Sequence, residues 1–181
     1  MSSLTVLKYP DPKLRRKSKP IAKVSSSIVS LAEDMFETMV AENGIGLAAP
    51  QIGELIRLIV MDVPKIDPID PEKIVHDKLA LINPQIVHGE GKIQYEEGCL
   101  SCPELIVLVD RNEKIRVKYL DLEGRPCEIG AEQLKAVCIQ HEIDHLDGIL
   151  LVDKLNRIEQ GLYKQKRLRV AGEEKELATI L

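Results

Sequence analysis

Residues 131–148 read AEQLKAVCIQHEIDHLDG, and this stretch decides the fold. Five of its residues recur at positions i, i+3, i+4, i+7 and i+11 and therefore share one face of a helix: Leu134, Val137, Cys138, His141 and His145. Gly148 supplies a stop for this helix. The spacing predicts a helix over residues 131–146 in which both histidines continue an apolar stripe and so point toward the core.

The residues before this helix are typical of strands. Residues 55–63 (LIRLIVMDV) predict a buried strand, and a second strand begins near Leu79. Residues 105–109 form a short β-branched run. Apolar and basic residues alternate over 115–119 before a turn at residues 123–124, as they do in a hairpin.

One further helix precedes these strands. The serines at 25–27 offer N-caps for apolar residues that follow helical spacing over 28–40, and Gly44 ends the helix. Residues 64–78, rich in Pro, Asp and Lys, predict a solvated loop. Strands that do not alternate with helices favour a mostly antiparallel α+β domain over a doubly wound α/β sheet.

The composition excludes several classes of protein. A chain of 181 residues with 44% hydrophobic and 30% charged residues is one globular domain without a linker. A net charge of -4 and an aromatic content of 3% argue against specific DNA binding and against a platform that stacks RNA bases. Residues 1–8 lack a signal peptide and no apolar run reaches membrane-spanning length, so we expect a cytoplasmic protein with no membrane contact. Its four cysteines are then reduced thiols or metal ligands, with two disulfides as the alternative.

The sequence HEIDH over residues 141–145 is the strongest indication of chemistry. Residues four apart share a helix face, so His141 and His145 can bind one metal ion while Glu142 flanks the water on that ion. This arrangement is typical of zincin-like hydrolases. The alternative is a buried histidine pair that is satisfied by other hydrogen bonds and binds no metal.

A catalytic site of this kind needs a third protein ligand and an open position for water or substrate. Cys99, in the sequence EGCLS over residues 97–101, is the candidate, because it lies between strand-like segments. Three alternatives remain: a small buried thiol, a redox pair with Cys102, or a four-cysteine zinc site that includes Cys127 and Cys138. The last two are weaker, since the CxxC does not open a helix and Cys127 and Cys138 are not closely spaced.

The sequence GIGLAAPQ over residues 44–51 places two glycines among apolar residues. Glycine lets another backbone approach closely, as a peptide substrate does when it adds to a sheet as a further strand. The segment is not a phosphate-binding loop, because no Gly-Lys-Ser/Thr follows it and no GxGxxG is completed.

These segments, GIGLAAPQ, EGCLS and HEIDH, occur in this order and resemble the three signature motifs of the peptide deformylase family. The resemblance implies an α+β fold in which antiparallel β-sheets pack around a central helix that carries HEIDH, with a C-terminal helix. It runs from Pro10 to about Leu155, so we expect a catalytic domain over residues 1–155. Residues 156–181 would form a basic helical tail that is part of the same domain or faces the ribosome.

The resemblance also implies the roles of individual residues. Three of them would bind one divalent metal ion: Cys99, His141 and His145. Fe(2+) would be the active species, although this donor set also accepts Zn(2+), Ni(2+) or Co(2+). Glu142 would be the catalytic acid and base, and Gln51 with the backbone N–H of Leu100 would stabilise the oxyanion.

An apolar pocket beside the metal is expected to hold the unbranched methionine side chain of the substrate. Seven residues are expected to contact the substrate: Ile45, Gly46, Tyr95, Glu97, Leu134, Val137 and Cys138. The last three share the helix face of His141, although Leu134 and Val137 could equally be ordinary core. The first four follow from the resemblance, with the backbone of Ile45 and Gly46 pairing with the peptide.

Two features lie outside these motifs. Many bacterial relatives carry an arginine seven residues after the metal-binding cysteine, where this chain has Ile106, and Arg111 nearby is the candidate to replace it. Residues 154–170 contain six basic residues and one acidic residue, a net charge of +5. In some bacterial deformylases such a C-terminal helix docks on ribosomal RNA; a solvated helix face is the simpler alternative.

The sequence therefore predicts a metal-dependent hydrolase that removes the formyl group from N-formylmethionyl nascent peptides in the bacterial cytoplasm. The reaction requires an ion that acidifies water and polarises a carbonyl. Two alternatives are open. One is another zincin-like amidase or peptidase; the other is a non-catalytic, metal-stabilised ribosome-binding protein in which the ligands only hold the fold.

Overall fold

The computed structural model describes residues 4–66, 69–70 and 73–180, and over these residues the chain forms three α-helices and seven β-strands. The helices are α1 (Ser26–Ala41), α2 (Gln133–Leu146) and α3 (Arg157–Ile180). The strands are β1 (Gly46–Ala48), β2 (Leu58–Ile66), β3 (Ile74–Glu90), β4 (Ile93–Cys99), β5 (Cys102–Arg111), β6 (Lys114–Leu120) and β7 (Pro126–Glu132). Short 3-10 helices lie at Pro12–Arg15, Ala49–Ile52 and Leu151–Lys154.

The strands form two antiparallel sheets. Five strands pair in the order β1-β2-β3-β6-β7, and β4 and β5 form a separate two-stranded sheet. The predicted α+β class is confirmed, with antiparallel sheets around the HEIDH helix and a further helix at the C-terminus.

The helix α2 packs against the five-stranded sheet through its apolar residues. Ile139 and Leu146 of α2 are fully buried in one cluster with Ile59, Met61 and Leu81 of β2 and β3. Burying one such side chain stabilises the fold by about 2 kcal/mol. Hydrophobic packing therefore fixes the position of the helix that carries the candidate ligands.

This helix begins later than the sequence predicts. It starts at Gln133, because Ala131 is the register partner of Ile115 and extends β7. It ends at Leu146 as predicted, and Gly148, two residues further on, adopts a φ of 76°. A Cβ at Gly148 would lie 2.5 Å from a backbone oxygen, so both the backbone angle and the space require glycine.

The interpretation of residues 64–78 as a solvated loop is wrong for much of this segment. β2 and β3 continue into it, and Pro64 is the register partner of His76. A strand ladder uses backbone groups, so charged side chains do not prevent it when both faces are partly exposed. Residues 67–68 and 71–72 lie outside the described residues.

The first turns of α3 pack against the rest of the chain. Tyr163 is buried, its hydroxyl donates to the carbonyl oxygen of Pro103 at 3.0 Å, and its ring stacks on Tyr9 at 5.8 Å. The buried Arg167 donates from Nε to the carbonyl oxygen of Tyr9 at 3.4 Å. Neither α3 nor another helix in the described part of the chain is long and apolar enough to cross a membrane.

Candidate active site

Three donor atoms converge where α2 passes the end of the β4–β5 sheet. Nε2 of His145 lies 3.2 Å from Nε2 of His141 and 3.1 Å from Sγ of Cys99. All three atoms lie within 4.8 Å of one another. Helical spacing brings the two imidazoles together, whereas Cys99 is the last residue of β4.

This donor set fits a divalent transition-metal ion. Ligand atoms bound tetrahedrally to one ion lie roughly 3.3–3.6 Å apart, close to the two shorter separations in this cluster. The alternative of a histidine pair satisfied by other hydrogen bonds is met at Nδ1 of His141, which pairs with Glu97, but not at Nδ1 of His145. Its buried Nδ1 has no hydrogen-bond partner among residues 4–66, 69–70 and 73–180.

A chain of charged groups fixes His141. Its Nδ1 lies 2.8 Å from Oε2 of Glu97, and Arg111 donates to both oxygens of that carboxylate at 2.7 and 2.9 Å. Burial alone would raise the pKa of Glu97, but hydrogen bonds from Arg111 and His141 outweigh it and lower the pKa to about 2. A carboxylate that accepts the Nδ1 proton leaves Nε2 of His141 free to act as a ligand.

Arg111 does not take the substrate-facing role that the sequence suggested. Its side chain is 6% exposed, and besides Glu97 it donates to Oδ2 of Asp144 on α2 at 2.7 Å. The guanidinium therefore joins the β4–β5 sheet to α2. Glu97, for which the resemblance implies substrate binding, borders the cavity, and both of its oxygens are engaged with Arg111 and His141.

Glu142 is buried beside the donor cluster, and its Oε2 has no hydrogen-bond partner within the described ranges. β1 passes close to it. A Cβ at Gly46 would lie 2.5 Å from Oε1 of Glu142 and 2.8 Å from Sγ of Cys138, so only glycine allows this approach. Burial raises the pKa of Glu142 to about 7, so this carboxyl group can gain or lose a proton near neutral pH.

Gln51 and Leu100 lie at the same end of the cavity. Oε1 of Gln51 accepts the N–H of Ala48 at 2.7 Å, which directs Nε2 toward Oγ of Ser101 at 3.3 Å and Sγ of Cys99 at 3.8 Å. Leu100 lies in the two-residue turn between β4 and β5, outside the strand ladder. Gln51 and Leu100 both line the cavity beside Cys99.

The cavity has a volume of about 390 Å³. All seven residues predicted to contact the substrate line it: Ile45, Gly46, Tyr95, Glu97, Leu134, Val137 and Cys138. Leu134 also packs against the core, so the two interpretations of that residue are compatible. Eight further residues line the cavity and were not predicted to do so from the sequence: Asn43, Gly44, Glu96, Gly98, Cys102, Glu104, Leu105 and Ile106. The alternation along β5 could have indicated that Ile106 lies on the exposed face of this strand, where its side chain is 66% exposed.

All four cysteines are free thiols, so the two-disulfide alternative is wrong. Cys102 is buried and is the register partner of Cys99 across the turn. Cys138 lies beneath β1 with Sγ 3.7 Å from the carbonyl oxygen of Ile45, and Cys127 lies on β7 of the five-stranded sheet. In the part of the chain that is described, the cysteines do not form a four-cysteine zinc site.

Comparison with known proteins identifies the family. The family model of polypeptide deformylase matches residues 3–161. The peptide deformylase of Alkalilimnicola ehrlichii is 46% identical, with 96% of this chain and 98% of that protein covered. The crystal structure of peptide deformylase from Ehrlichia chaffeensis in complex with actinonin is 39% identical with a TM-score of 0.85, and it covers 93% of this chain and 98% of its own. The Met-Ala-Ser-bound class I type b peptide deformylase from Acinetobacter baumannii is 33% identical with a TM-score of 0.77 and covers 85% and 99%. The chain therefore belongs to the polypeptide deformylase family, metal-dependent hydrolases that remove the formyl group from the N-terminus of newly synthesised polypeptides.

Proposed function

We propose that this chain removes the formyl group of N-formylmethionyl nascent peptides with one Fe(2+) ion held by Cys99, His141 and His145. The same donors accept Zn(2+), Ni(2+) or Co(2+) in preparations. The observation that carries the proposal is the convergence of the three donor atoms beside Oε2 of Glu142, which has no hydrogen-bond partner in the part of the chain that is described. When bound, the ion supplies Lewis acidity that acidifies water and polarises the formyl carbonyl.

Glu142 moves the proton in this scheme. Its Oε2 accepts a proton from the attacking water and then delivers it to the amine nitrogen as the C–N bond breaks. The water oxygen leaves in formate, and the peptide leaves with a free amino group. The absence of a side chain at Gly46 keeps the bound peptide backbone close to this carboxyl group.

Gln51 and Leu100 stabilise the negative charge that develops on the formyl oxygen. The fixed orientation of the Gln51 amide toward Cys99 and the turn position of the Leu100 N–H support this role. Donors that are already oriented cost no reorganisation during the reaction. Loss of one such donor typically lowers kcat about a hundredfold or more.

The methionine side chain occupies the apolar part of the cavity. Leu134, Val137 and Cys138 form one side of it, and Ile45 and Tyr95 line it as well. The backbone of Ile45 and Gly46 pairs with the peptide as a neighbouring strand. The Met-Ala-Ser bound to the Acinetobacter baumannii relative supports a peptide that begins with methionine.

The proposal is tested with anaerobically prepared protein on formyl-Met-Ala-Ser, with acetyl-Met-Ala-Ser as the matched substrate control. We expect amine release from the formyl peptide and none from the acetyl peptide. Glu142→Ala should lower kcat by a factor of about 10²–10⁴ at unchanged metal content. Turnover of the acetyl peptide would favour another zincin-like amidase or peptidase. A Glu142→Ala variant that behaves as wild type would favour a metal site that only stabilises the fold.

The identity of the metal is tested by parallel anaerobic and aerobic preparations. An Fe(2+)–thiolate site is open to oxidation, so we expect activity and iron content to fall together in air. Equal activity from both preparations would contradict iron as the active metal.

The basic residues of α3 support a contact with the ribosome, and the proposed substrate, a nascent chain, supports a location in the cytoplasm. Arg157 and Lys164 are exposed, whereas Arg167 is buried against the domain. The contacts of Tyr163 and Arg167 support assignment of the first turns of α3 to the catalytic domain. We expect the double variant Arg157→Glu, Lys164→Glu to cosediment less with ribosomes at low salt than wild type. Unchanged cosedimentation would favour a solvated helix face.

A further inference from the structure

A segment near the N-terminus crosses the outer side of the candidate oxyanion donors. We call residues 7–9 the strap. Three hydrogen bonds join the strap to the segments that carry those donors: Leu7 N–H to Gln51 O (2.7 Å), Lys8 Nζ to Leu100 O (3.0 Å) and Tyr9 N–H to Ser101 O (2.8 Å).

The strap binds backbone carbonyls of both segments, and Gln51 and Leu100 of those segments line the cavity. In Gln51 the carbonyl oxygen accepts from the strap, whereas side-chain Nε2 is directed toward Cys99. In the turn, the carbonyl oxygens of Leu100 and Ser101 both accept from the strap. A turn held by two outward carbonyls cannot rotate freely about its axis. The N–H of Leu100 belongs to the neighbouring Cys99–Leu100 peptide, so the strap limits its orientation indirectly, by fixing the Leu100–Ser101 peptide on the other side of the Leu100 Cα.

Lys8 provides the side-chain contact of the strap to the turn. Its side chain is 36% exposed, and its Nζ also lies 3.4 Å from Oε2 of Glu42. The strap has separate anchors on both sides of Lys8. Upstream, the N–H of Leu4 donates to Oγ1 of Thr38 at 3.0 Å, and downstream the ring of Tyr9 stacks in the contact with α3. Removal of the Lys8 amino group is therefore expected to leave the strap in place.

We infer that Lys8 is a positioning residue for the deformylation reaction. By holding the Leu100–Ser101 peptide through its carbonyl oxygen, Lys8 limits rotation about the backbone bonds of Leu100 and thereby limits the direction of the Leu100 N–H. The inference rests on the proposed function. An oxyanion contact is stronger in the transition state than in the bound substrate, so a misoriented donor lowers kcat and leaves substrate binding unchanged.

The test uses the full chain, metal-loaded under anaerobic conditions, with formyl-Met-Ala-Ser as substrate. Lys8→Met keeps most of the aliphatic stem and removes the donor, and we expect kcat to fall about five- to tenfold while KM changes by less than about twofold. Lys8→Arg should recover most of kcat, because a guanidinium can donate to the same carbonyl. Glu42→Gln is the matched control. It weakens the ion pair with Lys8 without touching Leu100, and its kcat should equal that of wild type.

Three results would overturn the inference: an unchanged kcat in Lys8→Met, an equal loss of kcat in Glu42→Gln, or a rise in KM at constant kcat. Thermal unfolding of each variant is measured in parallel, and Lys8→Leu is used in the same comparison if Lys8→Met does not fold. A metal-loaded wild type without any turnover would instead contradict the proposed function. The two failures are thus distinguishable.

Discussion

Two walls of the cavity, the helix α2 (the helix wall) and the β4–β5 sheet (the hairpin wall), are attached to the molecule in different ways. α2 lies on the five-stranded sheet through fully buried side chains such as Ile139 and Leu146. The β4–β5 sheet is separate from that sheet and reaches α2 through a charged network in which Arg111 binds both Glu97 and Asp144. Apolar packing has no preferred direction, whereas a carboxylate–guanidinium pair fixes angles. Packing therefore sets where the helix α2 lies, and the network adds hydrogen bonds of fixed direction between α2 and the β4–β5 sheet.

The two ligand histidines show the same difference on one helix. Nδ1 of His141 faces the network and pairs with Glu97, whereas Nδ1 of His145 has no partner among the residues described. The orientation of His145 thus depends on its packing, and that of His141 depends on a hydrogen bond. Substitutions in the network should affect one ligand selectively.

The largest effect is expected from Arg111→Met, which breaks the link between the two walls. It leaves the carboxylates of Glu97 and Asp144 without their shared cation, and loss of one partner from a buried ion pair costs about 3–5 kcal/mol. The free energy of unfolding, measured with urea on zinc-loaded protein, should fall by that amount. Arg116→Met on β6, where the arginine side chain is 57% exposed, is the control and should cost less than about 1 kcal/mol. Equal costs for the two variants would show that the network does not join the walls.

Glu97→Gln should act on the metal rather than on the fold alone. The neutral amide is a weaker acceptor for Nδ1–H of His141, and loss of such a partner typically lowers metal affinity about 10- to 100-fold. Competition between the zinc-loaded protein and a chelator measures this affinity. Glu96→Gln, one position away and exposed, should bind zinc as wild type does. If the two variants release zinc equally, Glu97 does not orient the ligand.

The outer edge of the hairpin wall should affect peptide preference by a smaller factor. Ile106 lines the cavity and is 66% exposed, so the part of a bound peptide that extends out of the cavity can cover its side chain. Leu108 lies two residues along β5, is 57% exposed and does not line the described cavity. We expect Ile106→Ala to lower kcat/KM for formyl-Met-Leu-Leu about fivefold, because the variant loses apolar contact area. The kcat/KM for formyl-Met-Ser-Ser should not change. Leu108→Ala should change neither; equal losses in both variants would contradict a role for Ile106.

The sequence predicted the helix wall well because its signal is local. The spacing of Leu134, Val137 and His141 depends only on the helical period, and the structure brings these residues to one cavity. Only the start of the helix differs from the prediction, because Ala131 and Glu132 of β7 pair with β6. Pairing with a distant strand is a tertiary effect that helical periodicity does not encode.

The hairpin wall was predicted less completely because its contacts join residues far apart in the chain. The contact between Glu97 and His141 spans 44 positions, and no local pattern indicates it. For Arg111 a usable signal existed. Val107, Val109 and Arg111 alternate along β5, and the structure buries all three on one face, so strand periodicity placed the arginine inward. The family pattern of a substrate-facing arginine led to the wrong interpretation.

The smallest effect tests a polar contact between the helix wall and the sheet. Nζ of Lys135 on α2 lies 2.7 Å from Oδ2 of Asp77 on β3, and this hydrogen bond is the main reason that the pKa of Asp77 is lowered. A carboxyl group whose pKa is lower in the folded state stabilises the fold above its unfolded pKa of about 4, and that contribution is lost as the pH falls through the folded value. A double-mutant cycle with Asp77→Asn and Lys135→Met should give about 0.5–1 kcal/mol of coupling at pH 7, because both groups are partly exposed. The coupling should shrink steadily below about pH 4 in urea unfolding. A coupling that is the same at pH 7 and in acid would mean that the carboxylate charge contributes nothing to this contact between α2 and the sheet.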